Sequence, residues 1–320
     1  MIQRRRVGPR AVLVGAALAA ILAVPGHAQT GPIRRTLGAH TFLPSTLLGD
    51  PFVGTYVRNI TGGGSALGLQ VPKLDLNEQV LGYQEADISF LTVGMEYQQA
   101  VATWLAFRIG FTGGARLGTS TVALLAEGVT AMAGATLGAT AKLVRTDRFI
   151  LSATADVLPG MSYQISILDF AKDVIANGLD STSSLLSKSS PYRYHFGGIG
   201  AYTVAPWLGL QATGTVGPVR SSSGEEDTEL RLGVGASMDF DSTGPPIGVL
   251  LGYLYTDPAA GGAGDNATGD AGIFNVGVFY TGHKRLVVGL DTQFTSTDQT
   301  HGDEKLNVVT GRIVLRYDFQ

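Results

Sequence analysis

The sequence predicts an all-β chain, a closed antiparallel transmembrane β-barrel of about twelve strands with short turns at one rim and longer loops at the other. Three observations carry that reading. From Pro51 onward the chain is a succession of segments whose side chains alternate apolar and polar, the period of a strand with two unlike faces. The connections between these segments alternate short and long. Aromatic residues recur at the ends of the segments, where apolar and wet surroundings meet.

Composition removes several function classes. There is no cysteine, so disulfides, thiol catalysis, a lipid-bearing cysteine and thiolate zinc sites are all excluded. A net charge of -3 gives no electrostatic attraction to nucleic acid. Residues 1-28 read as a signal peptide: Arg4, Arg5, Arg6 and Arg10 precede the apolar run from Ala11 to Val24, and Gly26-His27-Ala28 supplies the small residues of a cleavage site. After that run no apolar segment is long enough to span a bilayer as a helix, so any crossing is made by strands. Glycine, 44 of 320 residues, falls inside alternating segments as well as in turns, as expected where a sheet curls shut.

Residues 29-50 form an irregular N-terminal periplasmic segment containing Pro32 and Pro44, and 51-320 form the barrel. Two placements of the N-terminal segment stay open, a periplasmic tail or a piece tucked into the barrel. The first strand runs roughly from Phe52 to Ile60, with a glycine extension through Gly62, Gly63 and Gly64. The second puts Leu91, Val93, Met95 and Tyr97 on one face, and the third sets Leu105, Phe107, Ile109 and Phe111 against Ala106, Arg108, Gly110 and Thr112. The fourth opposes Ala131 through Leu143 to Thr130, Thr136, Thr140 and Lys142; the fifth opposes Phe149, Leu151 and Val157 to Ser152, Thr154 and Asp156. Later strands turn out Tyr194, Phe196 and Tyr202; Leu208, Leu210 and Val216; Leu230, Leu232 and Val234; Val249, Leu251 and Tyr253; Phe274, Val276, Val278 and Tyr280; and Leu286, Val288, Leu290 and Phe294.

Short connections fall near Gln98 to Thr103, Arg145 to Asp147, Ala205-Pro206, Asp241 to Pro246 and Thr281 to Lys284. Long ones run Thr61 to Ala86, Gly113 to Gly128, Leu158 to Pro191, Gly217 to Asp227, Thr256 to Asp270 and Thr295 to Glu304. Tyr97, Tyr202, Phe240, Tyr280 and Phe319 mark the short-turn rim, and Trp104 and Trp207 each follow a short turn directly. A soluble β-sandwich has no physical reason to ring both edges with aromatic side chains.

The final stretch, GRIVLRYDFQ, sets Ile313, Leu315, Tyr317 and Phe319 against Arg312, Arg316 and Asp318. It resembles the closing strand of bacterial outer-membrane β-barrels, whose chains typically finish on an aromatic residue recognised by the assembly machinery; here Gln320 follows Phe319. The resemblance implies a bacterial outer-membrane location, contact with outer-membrane lipid, both termini on the periplasmic side, and recognition of Tyr317 and Phe319 by the barrel-assembly machinery. It implies no particular ligand.

Parity assigns Glu96, Arg108, Lys142, Asp156, Arg193, His195, Glu229, Arg231, Asp239, Asp291, Arg312 and Arg316 to the lumen. Mixed charges there either pair to fill a narrow barrel or line a polar conduit. Inward glycines at Gly209, Gly233, Gly235, Gly277 and Gly289 reduce bulk, and about twelve strands lie between filled and open barrels. In the longest outer loop Ile167, Phe170, Val174 and Ile175 recur at helical spacing, predicting a short helix at the barrel mouth, and Thr121 to Glu127 is a weaker one. The function expected from these features is passive passage or binding of a small solute, without catalysis, cofactor or metal. Two alternatives stay open: a structural or surface-interaction barrel with a closed lumen, and an outer-membrane lipid hydrolase using His195 with a serine such as Ser187, Ser189 or Ser190.

Overall fold

The computed structural model describes residues 35–74, 80–118, 129–165, 186–189, 192–220, 226–241, 244–257, 270–298 and 305–319. The expected signal peptide, the helix carrying Ile167, Phe170, Val174 and Ile175, and the Thr121 to Glu127 segment lie outside them. The wall consists of β3 (Tyr56–Leu74), β4 (Val80–Ala100), β5 (Leu105–Gly118), β6 (Val129–Arg145), β7 (Phe149–Ile165), β9 (Tyr192–Ala205), β10 (Leu208–Arg220), β11 (Glu226–Asp239), β12 (Ile247–Asp257), β13 (Ala271–Tyr280), β14 (Leu286–Asp298) and β15 (Lys305–Asp318). Each pairs antiparallel with its neighbours, β6 pairs with β7, and β15 pairs with β3, so twelve strands close into a barrel. Closure leaves every strand with two partners, the condition for carrying a backbone through hydrocarbon. A short strand, β8 (Leu186–Ser189), adds to the outer end of β7.

The outward rows are the apolar ones. Leu91, Val93, Met95, Phe111, Leu137, Phe196, Leu232, Val234, Val278, Leu290 and Ile313 are all exposed, with Leu91 at 70% and Leu290 at 66%. Large aliphatic side chains presented around the wall are stable only where lipid replaces water. At the short-turn rim Trp207 stacks on Phe240 with ring centroids 6.4 Å apart, and Phe319 meets Tyr97 at 6.5 Å and Tyr317 at 5.2 Å. The Phe319–Tyr97 contact carries the aromatic girdle across the seam where the last strand meets the first.

Strands run further toward the loop end than the sequence reading in several hairpins, β5 to Gly118, β10 to Arg220 and β14 to Asp298 among them, and two cases stand out. The first outer loop was expected from Thr61 to Ala86, yet β3 continues to Leu74 and β4 begins at Val80. The glycine run is a place of close strand approach: a Cβ at Gly64 would lie 2.1 Å from the Val309 carbonyl oxygen. The ladder slips at Gly68 (φ 77°), in a bulge between Ala66 and Leu69, and again between Lys73 and Leu74. The loop expected from Leu158 likewise starts later, because β7 runs on to Ile165. Strands this long exceed the roughly 9–11 residues that cross hydrocarbon, so these hairpins stand out beyond the bilayer.

The N-terminal segment, from Arg35 to the start of β3, takes the tucked placement. It opens with a hairpin, β1 (Thr36–Leu37) and β2 (His40–Thr41), turned at Gly38 with φ 55°. It then folds on its own side chains: the Ser45 hydroxyl accepts from the Leu47 and Leu48 amides at 3.1 and 3.0 Å, and the Asp50 carboxylate accepts from the Phe52 amide at 2.9 Å. Leu37, Phe42, Leu43, Leu47, Leu48, Phe52 and Val53 are all buried. They pack against inward side chains of the wall, Leu37, Phe42 and Phe52 with Ile150 and Ala201, Leu43 with Leu250, Phe279, Val287 and Val314, and Leu47 and Leu48 with Leu254. The lumen at the short-turn end therefore holds an apolar core.

Candidate functional site

The plug fits a wall shaped to receive it. A Cβ at Gly209 would lie 2.5 Å from the Phe42 ring, one at Gly233 2.5 Å from Leu48, and one at Gly248 2.8 Å from Leu43. Polar groups of the wall meet plug backbone that has no strand partner. Gln98 donates to the Phe52 and Gly54 carbonyls at 3.0 Å each, Ser152 to Pro51 at 2.6 Å, Thr203 to Leu37 at 2.9 Å, Gln211 to Gly49 at 2.9 Å, and Arg58 to Ser45 at 2.7 Å. The Leu43 amide donates to the Ser237 hydroxyl at 3.0 Å. Buried carbonyls are thus satisfied by side chains where a ladder is absent. The void left beside Arg35, Phe42, Ser45 and Gln211 is about 10 Å³, room for one water at most.

Charges fix the segment at two points. Arg316 pairs with Asp50 of the plug and with Asp318 at 2.9 Å, and its guanidinium sits 3.8 Å over the Tyr56 ring; Arg35 reaches Asp318 at 2.9 Å. Nearer mid-barrel Thr46 donates to Asp291, and Arg312 holds both, 2.6 Å from the Thr46 hydroxyl and 2.8 Å from Asp291. Asn275 donates to the other Asp291 oxygen. His40 lies between the Pro206 carbonyl and the Ser237 hydroxyl, 3.3 Å from each. Burial pushes its pKa below the ordinary histidine value, with the Pro206 carbonyl and Asp239 acting the other way.

The wall carries two further clusters, one in the short-turn half of β3, β4 and β5 and one toward the loop end on β9 and β11. Arg58, Glu96, Arg108 and Asp156 alternate in sign across β3, β4, β5 and β7, with Arg58–Glu96 at 3.1 Å, Arg108–Glu96 at 3.9 Å and a close Arg108–Asp156 pair. Tyr56 adds a hydrogen bond to Glu96 at 2.5 Å. On β9 and β11, Arg193, His195 and Arg231 surround Glu229 at 3.9, 3.5 and 3.8 Å.

No protein-family model matches the sequence, and no curated protein matches it. Among solved structures the chain is similar to the COG4313 outer membrane channel from Pseudomonas putida F1, with a TM-score of 0.52 and 13% identity over 86% of this chain and 99% of that one. The fold is that of bacterial outer-membrane β-barrels. Weaker similarity extends to the translocator domain of autotransporter NalP from Neisseria meningitidis (TM-score 0.48, 11% identity, 97% and 96% covered). It also extends to the transport unit of autotransporter AIDA-I from Escherichia coli (TM-score 0.47, 11% identity, 99% and 100% covered).

In this outer-membrane barrel the residues assigned to the lumen by parity fall into separate groups. Asp291, Arg312 and Arg316 hold the plug; Glu96, Arg108 and Asp156 join Arg58; and Arg193, His195, Glu229 and Arg231 cluster together. Asp239 is buried beneath them near the short-turn rim, where it accepts from the Asp241 amide at 3.2 Å. Lys142 stands apart at that rim and donates to the Thr103 carbonyl at 2.6 Å. Among the described residues no hydrogen bond joins His195 to a serine; its contact is Glu229. His283 accepts from the Arg285 and Leu286 amides in its turn, and His301 lies outside the described residues.

Sequence reasoning missed Arg58, Asp50, Thr46, Gln98 and Gln211. Parity in the first strand would have found Arg58, two residues from buried Tyr56. The plug had a signal too: Val249-Leu250-Leu251, Val278-Phe279 and Leu286-Val287-Val288 are apolar on both faces. Strands facing lipid on one side and water on the other do not read that way, whereas strands covered on both sides do.

Proposed function

We propose that this outer-membrane barrel is a gated conduit for small solutes, with the segment from Arg35 to Thr55 as its gate. One observation carries the reading: the plug forms its own two-stranded sheet and shares no ladder with the wall. It is held by side-chain hydrogen bonds, the Arg316–Asp50 and Arg35–Asp318 ion pairs, apolar contacts and, at its end, a backbone bond from the Phe319 amide to the Thr55 carbonyl. Its departure would leave every wall strand paired, and the glycines that receive it would become open lumen. A barrel meant only as a solid pillar has no need of a separate filling, since its own inward side chains can fill it.

Planar-bilayer recording tests this. Wild-type protein is expected to show rare, brief openings, and a variant lacking residues 35–49 stable ones of larger conductance. The chain has no cysteine, so Leu43→Cys with Ser237→Cys gives a clean lock. It should silence the channel when oxidised and restore it under reductant. An assembled deletion variant without discrete openings removes the conduit.

The second reading is a closed structural barrel, and the apolar content of the plug favours it. Phe42, Leu43 and Phe52 are 2–3% exposed, like the core of a soluble protein. Failure of the deletion variant to assemble at all is the result that reading expects.

A further inference from the structure

The cluster around Glu229 is unlike the other charge groups of the lumen. Asp156 is held by Arg108, Asp291 by Arg312, and Asp50 by Arg316. Glu229 instead has three nitrogens at 3.5 to 3.9 Å, each beyond the 2.7–3.2 Å of an N–H···O hydrogen bond. Its carboxylate is 7% exposed and the His195 ring 5%, and His195 Nε2 is a buried nitrogen without a hydrogen-bond partner among the described residues. The Arg231 side chain is 31% exposed, and its one ionic contact among the described residues is the loose one to Glu229. An arginine fork facing a wet lumen, next to a carboxylate too far away to occupy it, has donor capacity to spare.

Close approach of β9 and β10 leaves no side chain on β10 opposite the acid. β10 runs between β9 and β11, and its residue opposite Glu229 is Gly217. A Cβ there would meet the Tyr194 carbonyl oxygen at 1.6 Å. Arg193 opposes buried Val219 on the same strand, two residues beyond the glycine that faces the acid.

We propose that Arg231, flanked by Arg193 and His195, forms a subsite at the loop end of the lumen for the carboxylate of a small anionic solute, with Glu229 as a built-in competitor. Glu229 keeps the arginines oriented while the subsite is empty and weakens the complex enough for the solute to leave, as conduction requires. The use of the subsite in transport rests on the gated-conduit reading; binding itself does not.

The test uses the full chain in detergent micelles with sodium acetate as probe and acetamide as its neutral counterpart, read by saturation-transfer NMR. Acetate should receive saturation and acetamide should not. Arg231→Gln should weaken acetate at least fivefold, and Arg231→Lys less, because the charge stays while the two-pronged geometry goes. Glu229→Gln should tighten it at least threefold, since a like charge a few ångströms away is removed. A gain of affinity cannot come from a damaged fold, so this variant decides the matter even if Arg231→Gln assembles poorly. Acetate no better than acetamide, or Glu229→Gln no tighter than wild type, overturns the proposal. Inorganic phosphate displacing acetate at a lower concentration than acetate itself overturns the carboxylate assignment. Acetate binding without bilayer conductance removes the conduit and keeps the subsite; conductance without acetate binding does the reverse.

Discussion

Arg316 is 1% exposed and carries the plug's main electrostatic tie, with Asp50 and Asp318 on it at once. Removing it strands buried Asp50 and half-buried Asp318, the latter still reached by Arg35, whereas removing Asp50 leaves Arg316 with Asp318. Breaking a buried pair from one side costs about 3–5 kcal/mol. Arg316→Gln should therefore approach that loss and Asp50→Ala should cost less, both read as a lowered urea midpoint. His40 gives the plug a pH dependence of definite sign. Its pKa when seated lies below the ordinary value near 6.5, so the seated plug prefers neutral imidazole. Seating is complete above the ordinary value and weakens as pH falls through it toward the seated one. Asp239, the carboxylate acting on His40 from β11, is already buried and does not reverse this sign. Channel openings should rise as the pH falls through about 6.5, and His40→Gln should flatten that rise; an equal rise in the variant would place the sensor elsewhere.

At the scale of elements, plug and wall behave as lock and key. Gly209→Ala puts a methyl 2.5 Å from the Phe42 ring, an overpacking worth about 1–3 kcal/mol, and Phe42→Ala leaves a cavity worth about 3–5 kcal/mol. The double variant should cost clearly less than their sum, because the methyl enters the space the ring vacates. A double-mutant cycle on urea midpoints checks it. This is also where legibility stops. Parity identified Gly209, Gly233 and Gly235 as inward, and they are, but what they make room for comes from residues far away in sequence. Thr61 to Ala86 failed for a related reason. A glycine run looks the same in sequence whether it bends the chain or lets two strands draw close, and only the register of β15 with β3 separates the cases.

For the whole molecule the outer face is the decisive surface. Leu290→Arg should impair assembly by about 2–4 kcal/mol, seen as loss of the heat-modifiable folded band, since arginine would face lipid near mid-membrane. Alternation along each strand, the even strand count, the order of short and long connections and the aromatic rims were all legible. They are local or periodic properties that lipid imposes on every strand alike. The charged lumen rows were legible as a set but not as groups, because which acid meets which base depends on strand tilt around the closed barrel. Placement of the N-terminal segment was settled only in three dimensions. Pro44 and scattered leucines have no period to read, and the burial of the leucines depends on partners such as Leu250, Phe279 and Val314, which become neighbours of Leu43 only after the barrel has closed.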